Sequence, residues 1–383
     1  MNGRETKMKG IQTVLVVLFF TAVLSVPAFA AGRTDYYADQ LEASGANELY
    51  HKLPGETREL LKELGIDKVD FYSIYDTSPR KFIDLLIDTV KQKSDGPLKS
   101  AFRLTGIIIL ISIAESFVPK DDKSKKVLFF VSGLLIAVSI AVPLSQAVSR
   151  AASSIYVSGS FMLLLIPVLA GVVAVSGNPM LDVSYNSIAF AFAQAVSQTA
   201  KNIVVPFTGI YMATGIAGSL MPEFKIGVLT ETIKKTAVTV LSFSAALFVA
   251  FLSIKGIMAN TADTMASKGI KLVVKTVVPV LGGALSDAYS SIAGSLSLVR
   301  SAVGVFGIIA VALIAVPSLI ELMLWAIPLK IVAACSDMFG LEDQAEMLRT
   351  LSSAASLLGV AVLFNAVLLI VATGVTLAVR AVA

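Results

Sequence analysis

Residues 301–327 read SAVGVFGIIAVALIAVPSLIELMLWAI. This run of 27 residues contains a single charge, Glu321. A helix needs about 20 mostly apolar residues to cross a hydrocarbon core, so the stretch reads as a membrane span. Seven more apolar stretches lie near 104–118, 127–147, 161–177, 200–221, 236–257, 277–298 and 354–379. Hydropathy therefore predicts an all-α polytopic membrane protein of about seven or eight helical segments. The stretches at 161–177 and 277–298 are interrupted by Pro and Gly and are read as broken segments.

Composition agrees. The 383 residues are 56% apolar and 15% charged, where a soluble protein has about 45–50% and about 25%, and mean hydropathy is +0.81. Charge is uneven: 4 of the 58 Asp, Glu, Lys and Arg residues fall in 1–30, 23 in 31–100 and 31 in the rest. The chain divides into a head (1–30), a charged helical segment (31–98) and a membrane domain (99–383). The net charge of +4 calls for no nucleic acid, since loop lysines account for it.

The head reads as an export signal. Arg4, Lys7 and Lys9 precede an apolar run from Ile11 to Leu24, Pro27 breaks it, and Ala28-Phe29-Ala30 supplies a small-x-small cleavage pattern before Ala31. An uncleaved anchor is the alternative, and either way the segment 31–98 is expected to be exported. There, Leu60, Leu61 and Leu64 lead to Gly65, a helix stop. Ser78-Pro79 reads as a cap and first helical residue, with Phe82, Leu85, Leu86 and Val90 on one face and a stop at Asp95-Gly96-Pro97. The segment either docks on partners or caps the membrane domain. His51, the one histidine, is expected on the surface.

The loop after Val118-Pro119 carries Lys120, Lys123, Lys125 and Lys126 and is assigned to the cytoplasm. The count of bases favours a crossing at 161–177, which would place Lys225, Lys234 and Lys235 outside. Two stretches resemble each other at an offset near 110: Ile166-Pro167-Val168-Leu169-Ala170-Gly171 with Val278-Pro279-Val280-Leu281-Gly282-Gly283, and Ile203-Val204-Val205-Pro206 with Ile314-Ala315-Val316-Pro317. This suggests repeats at 119–221 and 228–330, inverted in the bilayer if each crosses three times.

Ionisable groups at membrane depth cost about 2.5–3.5 kcal/mol on insertion scales and are functional candidates. Glu115, Lys201, Asp287, Arg300 and Glu321 qualify, and Asp287 and Glu321 lack an opposite charge nearby in sequence. With Pro167, Gly171, Pro279, Gly282, Gly283 and Pro317, these two form the candidate pore or gating set. There is no phosphate-binding Gly-Lys-Ser/Thr loop, no His-Glu-x-x-His and no cysteine pair. No enzymatic activity, cofactor or metal is expected.

The stretch from Ile254 to Gly340 holds Ala262-Asp263, Lys268-Gly269-Ile270-Lys271, Val278-Pro279-Val280-Leu281-Gly282, Ser286-Asp287-Ala288, Val303-Gly304-Val305-Phe306-Gly307 and Pro317. By these residues, and by its layout over essentially the whole chain, the sequence resembles the stage III sporulation protein AE family. It implies a place in the mother-cell membrane that engulfs the forespore. It also implies membership of a multi-protein channel complex of secretion type, encoded with seven sibling proteins. The implied partners are a secretion-type ATPase, ring-forming subunits and membrane lipid. Three roles stay open: a conducting or gating subunit, a scaffold without a conducting path, or a stand-alone secondary transporter.

Overall fold

The structure, a computed structural model, describes residues 36–118, 122–175, 191–221, 223–224, 226–250 and 282–378. Every regular element among them is helical. The signal-peptide residues Ala28, Ala30 and Ala31, and Pro279, lie outside the described residues.

Four short helices form the N-terminal unit: α1 (Tyr36–Ala43), α2 (Ala46–His51), α3 (Gly55–Glu63) and α4 (Phe71–Tyr75). The stop expected at Gly65 is present. Gly65 has φ +84°, its N–H donates to Lys62 O at 2.9 Å, and the Ile66 N–H donates back to Leu61 O at 2.8 Å. This double bond satisfies the last carbonyls of α3, and Ile66 is fully buried behind it. Asp70 caps α4 by accepting from the Ser73 N–H at 3.1 Å. Tyr37 accepts from the Phe71 N–H at 2.9 Å, and burial pushes its phenol well above the ordinary tyrosine range. His51 is exposed, as expected.

Helix α5 (Pro79–Phe117) starts where the sequence places it, with the Ser78 hydroxyl accepting from the Arg80 N–H at 3.3 Å. It does not stop at Asp95-Gly96-Pro97. The helix runs 39 residues with Pro97 inside and buried, so the N-terminal unit and the body share one rod. A proline inside a helix costs about 3 kcal/mol. Burial of Leu85, Leu104, Ile108 and Ile111 on both sides of it, at about 1.5–3 kcal/mol each, outweighs that cost. On the face expected in its first turns Leu85 is buried, but Val90 is 41% exposed and Thr89 takes the inward position.

Two further helices are longer than the apolar runs suggest. Helix α6 (Asp122–Val175) has 54 residues and joins the stretches 127–147 and 161–177. Helix α9 (Gly282–Met338) has 57 and joins the described part of 277–298 to 301–327. At 1.5 Å per residue these are about 80 and 85 Å long, more than twice a hydrocarbon core of about 30 Å, so each projects beyond it. Pro167 does not break α6, because Leu165 and Leu169 on either side are buried. Helices α7 (Ala191–Leu220), α8 (Ile226–Ala250) and α10 (Glu342–Ala378) complete the body. Six helices among the described residues are long and apolar enough to cross a membrane.

The α9–α10 hairpin is the centre. In their most apolar windows 83% of α9 and 67% of α10 are buried, against 17–33% for α5 to α8. Helix α6 runs antiparallel to α9, with Phe161 beside Phe306 and Ser154 bonded to Ile314. It runs parallel to α10, where Ser132 meets Gln344 and Ser158 meets Asn365. At the lower end Lys126 pairs with Glu223 at 2.9 Å and Gly133 lies against Leu220. Residues near the start and the finish of the first suggested repeat therefore lie close together. Glu223 shares an end with the first turns of α6, where Lys123, Lys125 and Lys126 lie in the helix and not in a loop. The separate crossing at 161–177 is replaced by the upper half of α6. The middle of the second suggested repeat lies outside the described residues.

Candidate functional site

Glu321 lies on the inner face of α9, 6% exposed. A carboxylate there needs a partner, and α6 provides it. Arg150 forks onto it, Nε donating to Oε2 at 2.7 Å and one terminal nitrogen donating to Oε1. A bidentate guanidinium–carboxylate pair fixes orientation as well as charge. The Arg150 side chain is 47% exposed while that of Glu321 is 8% exposed, so the pair has a wet end and a dry end.

Hydroxyl groups extend the seam. Ser318 donates to the Arg150 carbonyl at 3.4 Å, and Ser154 donates to Ile314 O at 2.9 Å. Buried Pro317 removes a backbone donor from this turn of α9. Above the pair, Phe306 sits between Tyr50 of the N-terminal unit and Phe161 of α6, at 6.5 and 6.4 Å between ring centroids. Gln40 accepts from Ser295 at 2.6 Å. The N-terminal unit is thus seated on the α6–α9 seam at several levels.

A second polar cluster ties α6, α7 and α10. Asn365, 1% exposed, donates to Ser158 Oγ at 2.9 Å and accepts from Ser197 Oγ at 2.5 Å. Nearby, α7 contains a π-helical turn over Ala200–Val204, and Lys201 sits 4.0 Å over the ring of Tyr156. Such turns mark places where a helix accommodates a local demand.

The candidate residues do not converge. Pro317 and Glu321 share the ion-pair turn. Pro167 is exposed on α6, and Gly171 faces open space. Gly282, Gly283 and Asp287 occupy the start of α9, about 50 Å along the axis from Glu321. Arg300 is buried on α9. Arg150 escaped the sequence reading because it falls between two apolar stretches and looked like a loop residue; its partner is 171 positions away. Asn365 was legible as a lone amide in an apolar run. The seam holds a charge pair and hydroxyls, a means of fastening helices. No group of three or more His, Cys, Asp or Glu among the described residues is placed to hold a metal.

A curated relative, stage III sporulation protein AE of Bacillus subtilis (strain 168), is 22% identical over 231 residues. That match covers 60% of this chain and 58% of the relative, so it spans less than two thirds of that protein's length. No solved structure matches. The family model described as stage III sporulation protein AE matches residues 75–380, from the end of α4 through α10. The chain belongs to the stage III sporulation protein AE family.

Proposed function

We propose that this protein is a membrane subunit of a multi-protein, secretion-type channel complex that links mother cell and forespore and is needed for endospore formation. Family membership supports the sporulation role. The observation that carries the subunit reading is the central hairpin. Its apolar helix α9 is 83% buried in its most apolar window and clamped to α6 by Arg150 and Glu321. Among the described residues this stretch of α9 is a filled interior.

Packing along it is close. A Cβ built on Gly307 would lie 2.6 Å from Leu165 Cδ2, and one on Gly215 would run into Thr350 Cγ2. These contacts favour a conduit formed between copies or with partner subunits over one through a single chain. They equally support the scaffold reading, in which the body recruits rings and an ATPase. Energy would come from that partner, since the sequence has no nucleotide-binding loop.

Deleting the gene in its own organism is expected to abolish heat-resistant spores while leaving vegetative growth intact, with restoration by the full chain. Normal spore yield in the deletion strain would refute the proposal. Glu321→Cys, in a chain that also carries Cys335→Ser, tests for a path through the single chain: reaction with a water-soluble thiol reagent would indicate one, and silence is expected both for a conduit between copies and for a scaffold.

A further inference from the structure

The turn joining α9 to α10 is built to hold two large apolar side chains out of the protein. Gly340 has φ +77°, its N–H donates to Asp337 O at 3.0 Å, and the Leu341 N–H donates to Ser336 O at 3.0 Å. This is the same double-bonded stop that ends α3, and its apolar requirement is met by Leu341, 1% exposed. Met338 is nonetheless 84% exposed and Phe339 43% exposed, at the tip of the hairpin whose two helices are the most buried in the body.

The rim of this tip is negative. Asp337, Glu342, Asp343 and Glu346 surround it with one base, Arg349, which pairs with Asp337 and Glu346. Glu342 and Asp343 have no ion pair among the described residues. The macrodipole of α10 favours acids in its first turn, which accounts for their helix position but not for the exposed Met338 and Phe339. Membrane insertion does not account for the acids either, because orientation follows Lys and Arg and owes little to Asp and Glu. The tip is at the same end as Ser132 and the Lys126–Glu223 pair. A bilayer surface bearing anionic lipid attracts bases and repels this rim, so insertion of Met338 and Phe339 among lipid headgroups is disfavoured.

We infer that the α9–α10 tip is a docking knob for a protein partner that presents lysines or arginines around an apolar pocket. Met and Phe are enriched in interface cores, Met adapts to irregular pockets, and opposite charges at a rim steer encounter and fix register. A partner bound there would act directly on the central hairpin. The inference rests on the chain being a membrane subunit, but not on its forming a conduit.

The test uses the full chain in membranes of sporulating cells, with the photoreactive residue benzoylphenylalanine replacing Met338. The expected result is an adduct with a different protein, mapped by mass spectrometry to a segment rich in Lys or Arg. Combining Glu342→Lys and Asp343→Lys is expected to lower adduct yield at least tenfold. Equal amounts of membrane-inserted protein and an unchanged Tm would show that the variant is folded. An adduct only with a second copy of the chain, an adduct only with lipid, or a yield indifferent to charge reversal would overturn the assignment. Wild-type spore yield in the deletion strain would instead count against the proposed function and leave the docking result standing.

Discussion

Removing Arg150 is expected to cost more than neutralising Glu321, and the asymmetry follows from where each group meets water. Glu321 is 6% exposed, so Arg150→Ala leaves a carboxylate in a dry seam without its fork of donors. Breaking a fully buried pair from one side costs about 3–5 kcal/mol. The Arg150 side chain is 47% exposed, which lowers the pair's net worth, and about 2–3 kcal/mol is expected here. Glu321→Gln leaves a neutral amide that still accepts from a guanidinium with access to water, at about 1 kcal/mol or less. Replacing both by Met removes charge from both sides and is expected within about 1 kcal/mol of wild type, as is common when a buried pair gives way to apolar residues. The assay is thermal unfolding of the purified full chain in detergent, followed by Trp325. It is the one tryptophan, 3% exposed and one helical turn from Glu321. Arg150→Ala is expected to lower Tm by about 4–10 °C, Glu321→Gln by a few degrees at most, and the double variant little. Equal losses for the two single variants, or a double variant worse than either, would refute the reasoning.

Gly215→Ala is expected to destabilise by about 1–3 kcal/mol, because the new methyl would clash with the stiff Thr350 side chain. Gly171→Ala, in open space, should be neutral or stabilising by up to about 1 kcal/mol through helix propensity; the two Tm values check the contrast. Asn365→Ala should cost about 1–3 kcal/mol, since Ser158 and Ser197 lose their shared partner in a buried setting, again read by Tm. Phe306→Ala should cost about 3–5 kcal/mol and free the N-terminal unit, seen as faster proteolytic cleavage between Tyr36 and Tyr75 at a temperature where the body stays folded.

Much of the fold was legible because hydropathy and caps act locally. The spans on α9 and α10, the stop at Gly65 and the start at Ser78-Pro79 all follow from short windows of sequence. The lengths of α5, α6 and α9 did not. Pro97 and Pro167 carry a local signal to stop, and it is overruled by burial of Leu104, Ile108, Leu165 and Leu169, which only the packed structure reveals. Fusion of two apolar stretches into α6 also hid Arg150, since a base between apolar runs reads as a loop. Glu321 was visible as a lone charge in an apolar run, but its role depends on a partner from another helix. Pro167, Asp287 and Glu321 share a sequence character and not a place.

The most direct test of the central claim is isolation of the tagged full chain from sporulating cells in mild detergent. The account predicts co-purification, in fixed ratio, with the sibling stage III proteins, including an ATPase and ring-forming subunits. Recovery of the chain alone, from cells whose spores form normally without any of those siblings, would contradict it.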